Sequence, residues 1–126
     1  MKILITGASG FIGTNLVNLL EEKGYNDILN VDRVKPLKQA HDKYWVKCDL
    51  LKIDELEKAI LDYGPTHVVH LAARTDTASD ILEDYIDNTL GTDNLITCLK
   101  KCDRVERAIF TSTQYVYRPG PKVPEN

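Results

Sequence analysis

Gly7, Gly10 and Gly13 recur at every third position directly after the apolar run Ile3-Leu4-Ile5, and a helical pattern follows them. Glycines in that setting force a strand, a tight turn and a helix in succession, because a Cβ would obstruct both the turn and the close passage of helix over strand. The same alternation continues downstream. Short apolar runs occur at Ile28-Leu29-Asn30-Val31, Val68-Val69-His70-Leu71-Ala72 and Ala108-Ile109-Phe110, with a weaker one from Tyr44 to Val46. Unbroken runs, as opposed to alternating ones, predict parallel strands covered on both faces.

Helical patterns separate these runs. Ile12, Leu16, Leu19 and Leu20 are predicted on one face of a first helix, and Ile53, Leu56, Ile60 and Tyr63 on one face of a second that ends at Gly64-Pro65. Leu82, Tyr85, Ile86, Leu90, Leu95, Ile96 and Leu99 trace a longer third helix. Gly91 inside it costs about 1 kcal/mol relative to alanine, which predicts close approach to a neighbour such as a strand. The expected fold class is α/β, a Rossmann-type doubly wound parallel sheet of strand order 3-2-1-4-5, truncated before later strands. Residues 1–117 are expected to form this incomplete domain, and residues 118–126 a Pro-rich tail.

A length of 126 residues suits one domain. The net charge of −3, with acidic and basic residues interspersed, argues against a nucleic-acid partner and against a membrane surface. Cys48, Cys98 and Cys102 lack the paired spacing of a zinc site, so free, buried or half-buried thiols and no metal are expected. The opening apolar run is too short for a signal peptide, which gives a cytoplasmic expectation.

The loop Thr6-Gly7-Ala8-Ser9-Gly10-Phe11-Ile12-Gly13 has the strand-to-helix context that a dinucleotide site requires. Gly7 would permit the turn, Gly10 would let backbone amides reach a pyrophosphate, and Gly13 would let the helix pack closely. Ser9, Phe11 and Ile12 complete the loop, whose unpaired helix-start N–H groups attract an anion. Asp32 ends the second strand, where a carboxylate accepts from both hydroxyls of the adenosine ribose. A 2′-phosphate there would meet like charge, so NAD is favoured over NADP, with the adjacent Arg33 as a partial compensation.

The loop is spaced G-x-x-G-x-x-G, and further motifs follow in order: Cys48-Asp49-Leu50, His70-Leu71-Ala72-Ala73, Asn88-Thr89-Leu90-Gly91-Thr92-Asp93-Asn94-Leu95 and Phe110-Thr111-Ser112-Thr113-Gln114-Tyr115-Val116-Tyr117. Together they resemble the extended short-chain dehydrogenase/reductase family, which includes nucleotide-sugar epimerases and dehydratases. The resemblance implies that Asp49 and Leu50 sit at the adenine, and that Leu71, Ala72 and Ala73 leave room for the ribose and pyrophosphate. Asn88 is implied to hold active-site backbone or water, and Arg74 is a candidate phosphate contact. His70 reads as a histidine packed inside the sheet. Thr113 matches the family's catalytic Ser or Thr, whose hydroxyl would orient the reacting sugar oxygen.

That hydroxyl needs a base, and the family's base is a Tyr with a Lys four residues on. No tyrosine of this chain has that lysine: Tyr115 is followed there by Pro119 and Tyr117 by Pro121. The expectation is therefore an N-terminal fragment that binds NAD without turnover, its parent acting on a nucleotide sugar by transient hydride transfer. Gln114-Tyr115 stands where the dehydratases carry Asp-Glu, which favours an epimerase or a related oxidoreductase over a dehydratase. The alternatives are a stand-alone NAD-binding regulatory module and a fragment of a sugar-nucleotide dehydratase or reductase. An uncovered fifth strand would also leave an open edge prone to self-association or homo-oligomer formation.

Overall fold

The computed structural model describes residues 1–76 and 78–113. Gln114, Tyr115, Val116 and Tyr117 of the last motif, and the tail expected over residues 118–126, lie outside them. Five parallel strands, β1 (Ile3–Thr6), β2 (Ile28–Asp32), β3 (Trp45–Lys47), β4 (His67–His70) and β5 (Arg107–Phe110), form one sheet of order β3-β2-β1-β4-β5. Helices α1 (Phe11–Glu22), α2 (Ile53–Tyr63) and α3 (Ile86–Leu99) supply the crossovers. This is the doubly wound α/β architecture and strand order that the sequence predicts.

Side chains alternate across a strand, so β1 feeds two cores. Leu4 joins Val31, Leu56, Ile60, Val68, Leu95 and Cys98 beneath α2 and α3, whereas Ile3 and Ile5 join Ile28, Val17 and Tyr44 beneath α1. Leu56 and Ile60 are wholly buried, each contributing about 1.5–3 kcal/mol relative to exposure. Gly64 closes α2 in the left-handed conformation, φ +64°, as the Gly64-Pro65 stop requires. Cys48, Cys98 and Cys102 are free and buried, and burial pushes the Cys48 thiol up to about 11, as suits packing residues.

One helix face and one helix start differ from their expectation. In α1 the buried positions are Gly13, Thr14 and Val17, with Leu16 and Leu20 partly covered, while Ile12 and Leu19 are exposed. Packing at Gly13 sets the helix rotation: a Cβ there would lie 2.3 Å from Ala8 Cα and 2.7 Å from the Gly7 carbonyl. Ile12, about 100° around the helix, is thereby turned away from the core. In α3 the inward stripe is Gly91, Asn94, Leu95, Cys98 and Leu99, and it is preceded by a 3-10 turn at Leu82–Tyr85. Leu82, Ile86 and Leu90 form a separate i, i+4 row and are exposed. Gly91 approaches the Leu50 side chain, 3.3 Å from its would-be Cβ, and so faces the loop after β3 and not a strand.

Among the described residues β5 pairs with β4 alone, and all four of its residues are exposed. Among the described residues β5 is therefore a border strand of the sheet.

The glycine contacts predict unequal costs. Gly13→Ala should destabilise the chain by about 3 kcal/mol in urea unfolding, since it drives a methyl into backbone. Gly10→Ala, whose Cβ meets only the Gly7 carbonyl at 3.5 Å, should stay within about 1 kcal/mol of the parent. Equal losses at both positions would refute this account of how α1 is seated.

Candidate functional site

The carboxyl ends of β1, β2 and β4 open onto a crevice of about 610 Å3, within the roughly 300–1,000 Å3 typical of ligand sites. It lies where the strand order turns back, between β1 and β4, which is where open α/β sheets take their ligands. Gly7, Ser9, Gly10, Phe11, Ile12, Gly13, Asp32, Arg33, Asp49, Leu50, Leu71, Ala72 and Ala73 all line it. These segments are well separated in sequence, and the parallel sheet brings them to one edge.

The floor is set by missing side chains. Gly7 has φ +75°, and a Cβ on it would stand 2.7 Å from the Ala72 nitrogen, so the β1 turn can pass beside the end of β4 only as glycine. Gly10 differs. Its φ of −79° is open to any residue, and an added Cβ would meet protein only at ordinary contact distance. Packing demands glycine at 7 and 13 but not at 10, where the space kept clear belongs to the crevice. Gly10 also caps α1 without a side chain, so the first-turn N–H groups open onto that space carrying the positive end of the helix dipole.

Asp32 connects loop and strand. One carboxylate oxygen accepts from the Ser9 N–H at 3.1 Å and the other from the Val34 N–H at 2.9 Å. Each oxygen keeps a lone pair for a further donor. Beneath, buried Asn30 donates to Ser9 Oγ at 3.0 Å, holding the loop from below. Asp49 accepts from the Leu51 N–H at 2.9 Å, an Asx turn that shapes the crevice wall, and buried Asn94 of α3 donates to the Leu50 carbonyl at 2.9 Å.

On the opposite wall Asn88 clamps the segment after β4 at two points, accepting from the Arg74 N–H at 2.7 Å and donating to the Arg74 carbonyl at 2.9 Å. His70 sits in the sheet, as expected, between Thr6 Oγ1 at 2.6 Å and Thr92 Oγ1 at 3.0 Å. Burial pushes its imidazole below the ordinary value and favours the neutral ring. One tautomer then satisfies every link: the Ala72 N–H donates to Thr6, Thr6 to His70 Nδ1, His70 Nε2–H to Thr92, and Thr92 to the Asn88 carbonyl. The crevice wall at Ala72 is thus connected to the clamp at Asn88.

Three predicted residues stand apart. The Arg74 side chain is committed to Asp76 at 2.6 Å and to the Asp84 carbonyl at 2.7 Å, and it stacks on Tyr85 instead of lining the crevice. Asn88 acts through backbone, and Thr113 is exposed beyond β5, outside the lining. Thr111, by contrast, does line it, its hydroxyl donating to the His70 carbonyl at 2.8 Å. Sequence reasoning did not assign Asp87, Val34 or Thr75 to the crevice. The polar Asn30 within an otherwise apolar strand was the available signal for the loop support.

An extended nucleotide fits this donor set: a helix start for a diphosphate, an acceptor-only carboxylate for a diol, and small Ala72 and Ala73 where backbone runs beside the crevice. Among the described residues there is no group able to hold a metal ion and no helix long and apolar enough to cross a membrane.

Comparison with known proteins agrees with this geometry. The model of the NAD dependent epimerase/dehydratase family matches residues 3–126. The UDP-glucose 4-epimerase uge1 of Schizosaccharomyces pombe is 30% identical over 97% of this chain and 39% of its own length. GDP-6-deoxy-D-talose 4-dehydrogenase of Aggregatibacter actinomycetemcomitans is 35% identical over 76% of the chain and 29% of its own. The UDP-glucose 4-epimerase of Thermus thermophilus, solved in complex with NAD, superposes with a TM-score of 0.77 at 29% identity, covering 90% of this chain and 38% of that one. The chain therefore spans well under half the length of these relatives.

Proposed function

The chain belongs to the NAD dependent epimerase/dehydratase family, and from that premise we propose that it is the NAD-binding portion of a nucleotide-sugar epimerase-like oxidoreductase. The observation that carries the reading is the pairing of an uncapped helix start at Gly10 with the Asp32 carboxylate, both facing one crevice. First-turn amides of α1 hold the pyrophosphate, and Asp32, oriented by Ser9 and Val34, accepts from the adenosine ribose hydroxyls. Asp49 and Leu50 bound the adenine, and Leu71, Ala72 and Ala73 give the second ribose its space. When bound, NAD supplies a hydride acceptor for a sugar carbon and returns the hydride.

Within that chemistry the residues of this chain bind and orient. The resemblance of the Phe110–Tyr117 motif supports Thr113, three residues past the end of β5, as the substrate-orienting hydroxyl. The NAD-bound relative and the nucleotide-sugar names among the other relatives support the substrate class. Gln114-Tyr115 lacks the acid and base of a dehydratase, which supports epimerase or dehydrogenase chemistry. No Tyr-x-x-x-Lys occurs in the chain, so this chain alone is proposed to be inactive, a general acid or base being worth about 10²–10⁴-fold. The cytoplasm is the proposed compartment.

Exposed Ile109 and Phe110 on β5, the border strand among the described residues, support self-association of this chain through that strand. Light scattering should show mass rising with concentration; a monodisperse monomer at high concentration would contradict it.

Calorimetric titration tests the cofactor reading. The chain should bind NAD more tightly than NADP, and Asp32→Ala should lose about tenfold or more of its NAD affinity, consistent with removal of charge-assisted hydrogen bonds. Equal affinity for the two nucleotides, or an Asp32→Ala variant that binds as the parent does, would defeat the assignment.

A further inference from the structure

Arg33 follows Asp32 directly, beside the ribose subsite, and by position alone it is the side chain best able to receive a 2′-phosphate. The fold does not leave it available. Its guanidinium reaches across the crevice mouth to Asp87 in the first turn of α3, with Nη2 at 3.0 Å from one carboxylate oxygen and Nη1 at 3.4 Å from the other. Both residues line the crevice. The neighbouring cations are engaged as well: Lys35 pairs with Asp42 at 2.8 Å, and Lys38 donates to Asn18 at 2.8 Å. Lys47, beside Asp32 in the register of β2 and β3, is not among the crevice residues.

We propose that Asp87 is a specificity-determining residue, holding Arg33 across the crevice mouth so that the ribose subsite selects NAD over NADP. The inference rests on the cofactor reading above and adds a second determinant to Asp32. A guanidinium offers one planar fork at a time, so a fork engaged by a carboxylate is withheld from a phosphate monoester. The pair is partly solvated, with side-chain exposures of 55% for Arg33 and 25% for Asp87, so its hold is modest, about fivefold in an equilibrium constant.

Calorimetric titration of NAD and NADP into the parent, Asp87→Asn, and the double variant Arg33→Ala/Asp87→Asn tests this, with circular dichroism to confirm folding. Asp87→Asn should narrow the preference for NAD about fivefold, by tighter NADP binding, and the double variant should lose that gain. An unchanged NAD to NADP ratio in a folded, NAD-binding Asp87→Asn chain overturns the inference and leaves the cofactor reading intact. A gain that survives in the double variant also overturns it, because Arg33 would then not be the recipient. A parent chain that binds neither nucleotide removes the cofactor reading and this inference with it. Should Asp87→Asn fail to fold, Asp87→Glu, which keeps the charge and lengthens the arm, is expected to retain the parent ratio; NADP binding as tight as NAD in that variant would count against the proposal.

Discussion

The contact between α1 and the turn that precedes it governs the rest of the structure. With no side chain at Gly13, the helix sits against Ala8 and the Gly7 carbonyl, at separations that admit no methyl group. That seating fixes the helix rotation, and the rotation divides the side chains. Val17 goes to the core, while Phe11 and Ile12 go to the crevice, exposed at 80% and 66%. It also points the helix start, with its unpaired amides and positive dipole end, at the same space that Gly10 leaves clear.

Once the loop is placed, it is held from two directions. Asp32 takes the Ser9 amide from the side and Asn30 takes the Ser9 hydroxyl from below, so β2 supports the loop through two residues of one strand. The far wall is held independently by Asn88 on Arg74 and by the hydrogen-bonded series from Ala72 through Thr6, His70 and Thr92. Asn94 does the same for the loop bearing Asp49 and Leu50. These polar side chains are buried or half-buried and are largely spent on backbone, which gives the crevice walls a fixed shape before any ligand arrives.

Much of this was legible in the sequence, and the limits have physical causes. Strand positions followed from unbroken apolar runs, and β1, with all four residues buried, is covered on both faces as such a run requires, whereas the run in β5 is exposed throughout. Ile12 and Leu19, predicted to share a face with Leu16 and Leu20, are exposed because periodicity shows which residues share a stripe, but not how the helix is rotated about its axis. Gly13 decides that through its contact with Ala8. In the site, Gly7 and Gly10 could be found because they lie within one strand-turn-helix unit, and Asp32 because it ends the next strand. The engagement of Arg33 by Asp87 could not, since the two are 54 positions apart and meet only through the sheet. Arg74 shows the opposite case: adjacent to the crevice in sequence, it is drawn off by Asp76 and Tyr85.

The central claim is that backbone amides at the start of α1 grasp the diphosphate of the cofactor. Amide chemical shifts of the isotope-labelled chain during addition of NAD measure this at each residue. The largest changes should fall on residues 9–13, with smaller ones at Asp32, Leu50 and Ala72. Binding that leaves residues 9–13 unmoved while shifting the amides of Ile109 and Phe110 would contradict it.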